Sequence, residues 1–309
     1  MNKYVLNLEP QDYSTKAIKK WESSGYKYVE SSWSSYRNIS FQDRIEVVIV
    51  RLQGFVNSDF LRFFPNLKIV ISATTGINHI DPKALTYFGV KLISLRGHSE
   101  FLRTISSTAE FTWAMILNLV RDIPNALVDV ELGNWEREKF KGFELFGKKI
   151  GIMGLGRIGS MVAQYAEAFG MSVLYADPNV FDDRYLKVNS IEELVGDVDI
   201  LSIHINYEAK NKNLIDEKII SLMKEGVFLI NTSRGEIWDE EAIVDAVKKG
   251  KIRGVGVDVL ENESISFKNS PIWKARNLKN IFLTPHIGGA SIDAMWKCEE
   301  FTQELVLNR

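Results

Sequence analysis

Short apolar runs alternate with segments of helical period through most of the chain. Residues 3–8, 46–50, 67–72 and 90–94 are brief aliphatic runs that read as buried strands. Thr15–Ser23 and Pro82–Phe88, lying between them, read as helices. Such alternation builds a parallel sheet with helices on both faces, because parallel neighbours need a long crossover. The first hundred residues therefore predict one small α/β domain. Residues 106–121 follow as a long helix, apolar at Phe111, Ala114, Met115, Leu117 and Val120. Asp122-Ile-Pro124 ends or redirects it.

A loop through Gly133, Trp135, Gly142 and Gly147 leads to a second series. Its strands are expected at Lys149–Met153, Ser172–Ala176, Val227–Asn231 and residues 199–203, 254–257 and 281–284. Six strands with intervening helices predict a doubly wound sheet. Residues 290–309 form one amphipathic helix, too short for a domain and expected to return to the first. The expected organisation is one discontinuous domain, 1–100 plus 290–309, and a second domain, 101–289. No internal repeat or low-complexity tract interrupts it.

A length of 309 residues suits two domains. With 45% hydrophobic and 25% charged residues the chain has the profile of a folded globular protein. The net charge of −2 recommends neither a nucleic acid nor an anionic membrane as partner. The opening MNKYVLNLEP lacks the order of a signal peptide, and no apolar run is long enough to span a bilayer. Cys298 is the single cysteine, which excludes an internal disulfide and a multi-cysteine metal site. A cytoplasmic protein without a metal is expected.

The most specific local signal is Lys149-Ile-Gly-Ile-Met-Gly154-Leu-Gly156-Arg157-Ile158-Gly159, a strand entering a G-x-G-x-x-G turn before a helical segment. Gly154 permits the tight turn, Gly156 lets backbone approach a pyrophosphate, and Gly159 lets helix and strand pack closely. The strand Ser172–Ala176 ends at Asp177, placed to accept from a ribose 2′-hydroxyl and to repel a 2′-phosphate. NAD is therefore the expected cofactor. The fingerprint lies in mid-chain, and Tyr207-x-x-Lys210 has the wrong spacing for a short-chain dehydrogenase.

Charged groups cluster at later strand ends. Asn231-Thr-Ser-Arg234-Gly235 follows one, Asp258 and Glu263 the next, and Thr284-Pro-His286-Ile-Gly-Gly289 the last. In open α/β sheets the carboxyl ends of strands face the ligand. Hydride transfer at a keto acid needs a cation for the carboxylate, an imidazole to move the hydroxyl proton, and a carboxylate to orient that imidazole and favour its charged form.

These segments, with Gly133-x-Trp135 and Gly256-Val-Asp-Val259, resemble the D-isomer-specific 2-hydroxyacid dehydrogenase family, most closely its phosphoglycerate-dehydrogenase-like group. The likeness runs from about Leu67 to Gly289. The spacings of 29 residues from Arg234 to Glu263 and 23 from Glu263 to His286 also fit. The resemblance implies a Rossmann dinucleotide-binding domain beside a flavodoxin-like substrate domain, both doubly wound, and a homodimer joined through the former.

It further implies that Arg234 binds the substrate carboxylate and carbonyl, that His286 is the general acid/base, and that Glu263 is its partner. Asp258 would hold the nicotinamide carboxamide. Arg157, Ile158, His204 and Thr232 join the glycines and Asp177 at the cofactor. Thr75 and Gly76 would meet the substrate carboxylate through backbone N–H groups, and Arg51 matches a first-domain arginine that reaches substrate in some members.

Three positions depart from the family pattern. Asn206 and Ser264 stand where proline is usual, altering loops on the adenine and catalytic sides, and Trp238 replaces a small aliphatic. No regulatory domain of the kind longer members append is expected beyond Arg309. The expected activity is hydride transfer between NAD(H) and a small D-2-hydroxy acid or its 2-keto acid. An NAD-sensing binding protein of co-repressor type, and a formate or phosphonate dehydrogenase, stay open as alternatives.

Overall fold

The computed structural model describes residues 3–308, apart from the side chain of Ser264, so the departure at that position lies outside the described residues. The chain divides into two units, Met1–Ile105 with Ala290–Arg309, and Ser106–Gly289.

In the first unit β1 (Lys3–Asn7), β2 (Tyr26–Glu30), β3 (Ile45–Val50), β4 (Ile69–Ser72) and β5 (Lys91–Ser94) form a parallel sheet in the order β2-β1-β3-β4-β5. Four strands were expected; β2 is the fifth. Its sequence YKYVE mixes charge with aromatics because it lies at the sheet edge, where no residue is fully buried. Successive β3 side chains serve opposite faces. Val48 and Val50 join Leu6, Phe60 and Leu85, whereas Val47 and Ile49 join Ala17, Trp21 and Val306. The helix Ile292–Leu307 thus covers the same face as Thr15–Ser23, with Gln303 Nε2 donating to the Ala17 carbonyl at 2.7 Å. Residues 101–105 cluster with this unit, because Leu102 and Ile105 pack among Leu95, Ala294 and Cys298.

The second unit holds β6 (Lys149–Met153), β7 (Ser172–Ala176), β8 (Leu186–Lys187), β9 (Ile200–Ile203), β10 (Val227–Asn231), β11 (Ile252–Val257) and β12 (Ile281–Leu283), all parallel. Their order, β12-β11-β10-β9-β6-β7-β8, adds the two-residue β8 to the six expected strands. The winding reverses between β6 and β9, the switch point where such sheets bind ligands. These are the orders of a Rossmann and a flavodoxin-like sheet.

Helix Ser107–Val120 buries Ala109, Trp113, Met115, Ile116 and Val120 against the second sheet. Asp122 then takes a left-handed conformation, φ 53°, and Pro124 enters the first turn of a new helix, Ile123–Glu131. Proline here redirects the chain, because a helix's first turn has no N–H bond for it to remove. Among the described residues no helix is long and apolar enough to cross a membrane.

Candidate active site

The turn after β6 is shaped by three close approaches and one opening. Gly154 has φ +92°, and a Cβ there would lie 2.7 Å from Ile205 Cγ2 and 2.8 Å from the His204 carbonyl oxygen. A Cβ on Gly159 would sit 2.0 Å from the Gly154 carbonyl, so helix Arg157–Ala168 can start tight against the strand only with glycine there. Gly156 differs. A Cβ would meet nothing within 4 Å, which leaves open space beside the first N–H groups of that helix, at Arg157 and Ile158. This space and polarity fit a diphosphate.

Asp177 follows β7, half-buried, and is held against the turn. Its Oδ2 accepts from Leu155 N at 2.9 Å, and Oδ1 from Asn179 N and Val180 N at 2.8 and 3.0 Å. A fixed carboxylate one strand from the phosphate turn fits a ribose diol. His204 follows β9 and shares a 2.8 Å hydrogen bond with Ser202 Oγ. Burial pushes its imidazole down to about 3, so the ring is neutral at pH 7. Asn206 is exposed, and its carbonyl accepts from Asn211 Nδ2 at 2.7 Å, closing a turn.

On the other side of the switch point, Arg234, Glu263 and His286 follow the adjacent strands β10, β11 and β12. Gly235 lets the first two loops meet, since a Cβ would overlap the Leu260 carbonyl carbon at 2.1 Å. His286 Nδ1 is hydrogen-bonded to Glu263 Oε1, while Glu263 Oε2 accepts from Leu260 N at 3.2 Å. With Nδ1 engaged, Nε2 has no partner among the described residues and is the nitrogen left for a ligand. His286 carries φ 55°, a left-handed conformation that costs a β-carbon residue about 1–2 kcal/mol.

Asp258 offsets that strain. Its Oδ1 accepts from Thr284 Oγ1 at 2.6 Å and Ile287 N at 2.9 Å, and its Oδ2 from Gly288 N at 2.8 Å. Its carbonyl accepts from His286 N at 2.9 Å. The carboxyl is 2% exposed, and burial raises its pKa against those donors. The structure thus places Asp258 beneath the histidine turn with both oxygens occupied.

The Arg234 side chain donates to the Ser233 carbonyl, and no carboxylate ion-pairs with it among the described residues. Its backbone turn is braced by buried Asn231, whose Nδ2 donates to the Arg234 carbonyl at 2.9 Å. Thr232 is buried on Thr112, Oγ1 to Oγ1 2.8 Å. Sequence reasoning missed Glu240, which is 4% exposed and ties two ends of the Glu263 loop through Glu261 N and Ser270 Oγ. A buried acid in a helix's first turn has no local signature.

In the first unit Thr75 and Gly76 follow β4, and Arg51 follows the neighbouring β3. The N–H groups of Thr75 and Gly76 have no acceptor among the described residues. The loop beneath them is braced by Thr74 Oγ1, which donates to the Gly76 carbonyl at 2.8 Å. Arg51 is otherwise engaged, with Glu299 and the Gln11 carbonyl as partners of its guanidinium.

A glycine turn at the switch point, an acid one strand away and an acid–imidazole pair at the far strand ends lie together on a sheet of Rossmann order. Residues 113–288 match the family model described as D-isomer specific 2-hydroxyacid dehydrogenase, NAD binding domain. The chain belongs to that family. It is 36% identical over 267 residues to D-3-phosphoglycerate dehydrogenase of Bacillus subtilis, covering 85% of this chain and 49% of that one. To hydroxypyruvate reductase of Thermotoga maritima it is 34% identical over 251 residues, 81% of this chain and 80% of that one. The chain spans about half the length of the phosphoglycerate dehydrogenases it matches. The solved D-lactate dehydrogenase of Aquifex aeolicus, complexed with NAD and lactic acid, superposes with a TM-score of 0.78. It is 28% identical, over 98% of this chain and 94% of that one.

Proposed function

We propose that this chain is an NAD-dependent dehydrogenase of a small D-2-hydroxy acid, with the corresponding 2-keto acid as the oxidised partner. The observation that carries the reading is the Glu263–His286 pair at the strand ends beyond the dinucleotide turn, with Arg234 after the next strand and without a carboxylate partner among the described residues. NAD, when bound, supplies or accepts the hydride at the 2-carbon. In reduction, His286 Nε2 delivers the proton that the carbonyl oxygen needs, and in oxidation it removes the hydroxyl proton. Glu263 holds Nδ1, which fixes the ring's orientation and balances the charge it gains. Arg234 presents two parallel donors to the substrate carboxylate and draws electron density from the carbonyl. The open amides of Thr75 and Gly76 suit a carboxylate as well. Asp258 acts by positioning the histidine turn.

Asp177 sets the cofactor as NAD(H) over NADP(H), because its charge opposes a 2′-phosphate. The test is turnover of a panel of 2-keto acids with NADH and with NADPH at neutral pH. Reduction of at least one keto acid with a clear NADH preference supports the reading. Equal kcat/KM with both cofactors removes the Asp177 assignment, and tight NAD binding without turnover favours a sensor.

The same reading makes the protein a cytoplasmic homodimer. Helix Ile123–Glu131 has no buried residue, and Leu127, Leu132, Trp135 and Phe146 on and after it are 60–89% exposed. Apolar surface on that scale is characteristic of an interface, and a second copy covers it symmetrically. Sedimentation of the wild type against Trp135→Glu distinguishes a dimer from a monomer.

A further inference from the structure

Glu240 is an acid at a place where packing alone would be served by an apolar side chain. It opens helix Glu240–Lys248 and is buried, as are Trp238 and Ile243 on either side of it. No cation pairs with it among the described residues, and burial raises its pKa against the pull of its donors. Burying a carboxylate without a counter-ion is costly, so its hydrogen bonds need an account. A carboxylate only accepts, and its two oxygens can hold donors from two directions. Here Oε1 accepts from Glu261 N at 2.9 Å, Oε2 accepts from Ser270 Oγ, and Ile272 N is a further donor.

Residues 261 and 270 bound the segment that carries Glu263, so one side chain closes that loop. The far tether is firm. Ser270 is buried and accepts from Trp273 N at 3.1 Å, which caps helix Pro271–Lys274. Between the tethers the backbone bonds are local: Ile265 N and Ser266 N donate to the Asn262 carbonyl at 3.0 and 2.9 Å. They shape the turn, whereas Glu240 fixes where it sits. The Lys212–Glu261 ion pair at the start of the loop is largely solvated, and such pairs hold little. Glu263 stands two residues past the near tether, and its Oε1 engages His286 Nδ1 after the adjacent strand. A shift of Glu261 is therefore passed to the acid–imidazole pair through two residues of chain.

We propose that Glu240 is a positioning residue for proton transfer: by closing the loop 261–270 it keeps the Glu263 carboxylate on His286 Nδ1. Its kinetic consequence, though not its geometry, rests on the dehydrogenase reading above.

Glu240→Leu removes both acceptors, and Glu240→Gln keeps the shape and one of them. The first readout on the intact chain needs no turnover. Nitrogen NMR shifts of a neutral imidazole tell which ring nitrogen bears the proton, and only four histidines need assignment. A carboxylate on Nδ1 holds the proton there, so wild-type His286 is expected in alkaline solution as the Nδ1–H tautomer. Glu240→Leu should shift it toward Nε2–H, as Glu263→Ala does, and Glu240→Gln should restore the wild-type form. The second readout is a double-mutant cycle in kcat. Glu240→Leu should lower kcat roughly tenfold with KM for NADH unchanged, and should have no further effect on top of Glu263→Ala. A merely structural residue would lower kcat by the same factor in both backgrounds and leave the tautomer alone. If Glu240→Leu does not fold, Ser270→Ala, which removes the far tether and keeps the acid, is read in the same way. A wild-type His286 in the Nε2–H form, an Nδ1–H tautomer that survives in the folded variant, or an equal loss of kcat in both backgrounds overturns the proposal. The expected tautomer change in a protein that reduces no 2-keto acid supports the positioning role and sinks the dehydrogenase reading instead.

Discussion

The carboxyl ends of the two sheets treat charge in opposite ways. At the second sheet, Arg234 has no carboxylate partner among the described residues, and the Glu263–His286 pair leaves side chains 33% and 25% exposed. At the first sheet, Arg51 and Glu299 neutralise one another with side chains 17% and 2% exposed, and Glu9 is saturated by N–H donors. Both ends carry an acid beside a basic side chain, yet the pair at the first sheet is much the more enclosed. A paired and buried charge positions backbone, whereas an accessible charge can stabilise charge that develops on a ligand. On the proposed function, proton and carboxylate chemistry falls to the second unit.

The largest effect that would break this contrast is at His286. His286→Ala should lower turnover roughly 10²–10⁴-fold while NAD binding, measured by fluorescence titration, stays near wild type. Near-normal turnover in that variant would move the proton chemistry elsewhere. Next in size is Arg234→Lys, which keeps the charge but loses the planar pair of donors. It should cost on the order of 10²-fold in kcat/KM for the keto acid. Equal reduction by wild type of a simple ketone and its keto-acid analogue would show that the arginine has no carboxylate to hold.

Much of the fold was legible because buried parallel strands are short and almost wholly aliphatic. The runs at β1, β3, β4, β6 and β10 could be placed from composition alone. β2 was not, since an edge strand is solvated and its tyrosines and charges carry no aliphatic signal. The glycine turn was legible because close approach demands a missing side chain, as at Gly154 and Gly159. Arg234, Glu263 and His286 could be nominated from their places after strands. How far each is committed elsewhere could not. Arg51 and Glu299 are 248 residues apart, and Asp258 reaches its donors 26–30 residues on. No local period encodes such pairings. The nominations therefore stood on position, and the structure adds which groups remain open.

A smaller effect distinguishes the two buried or partnered histidines of the second unit. His204, unlike His286, has no carboxylate partner among the described residues, and its pKa is lowered from 6.5 to about 3 by burial. The unfolded chain takes up a proton through pH 6.5 while the folded one does not until about pH 3. Its contribution to stability is therefore complete above pH 6.5 and is lost as pH falls toward 3. Between pH 7 and 5 this amounts to about 2 kcal/mol. Urea unfolding at the two pH values should show that loss in wild type and not in His204→Gln. An equal loss in both would show that another group titrates.

The smallest expected change is at Trp238, which pairs with Trp21 as a comparison of one tryptophan from each unit, both 0% exposed. Trp21, between the first sheet and its helices, donates from Nε1 to Tyr13 Oη at 3.3 Å. Trp238, standing where the family pattern has a small aliphatic, packs among Ile215, Ile237 and Ile243, and its Nε1 has no acceptor among the described residues. An unpaired buried N–H costs roughly 1–3 kcal/mol, close to what is lost by trimming an indole to a phenyl ring. At Trp238 the two terms oppose, so Trp238→Phe should change stability by less than about 1 kcal/mol. At Trp21 they add, because the hydrogen bond is lost with the packing, and Trp21→Phe should cost about 2–3 kcal/mol. Urea midpoints at constant m-value measure both. Equal costs would mean that the Trp238 indole is satisfied in solution, and that its presence in the core carries no polar penalty.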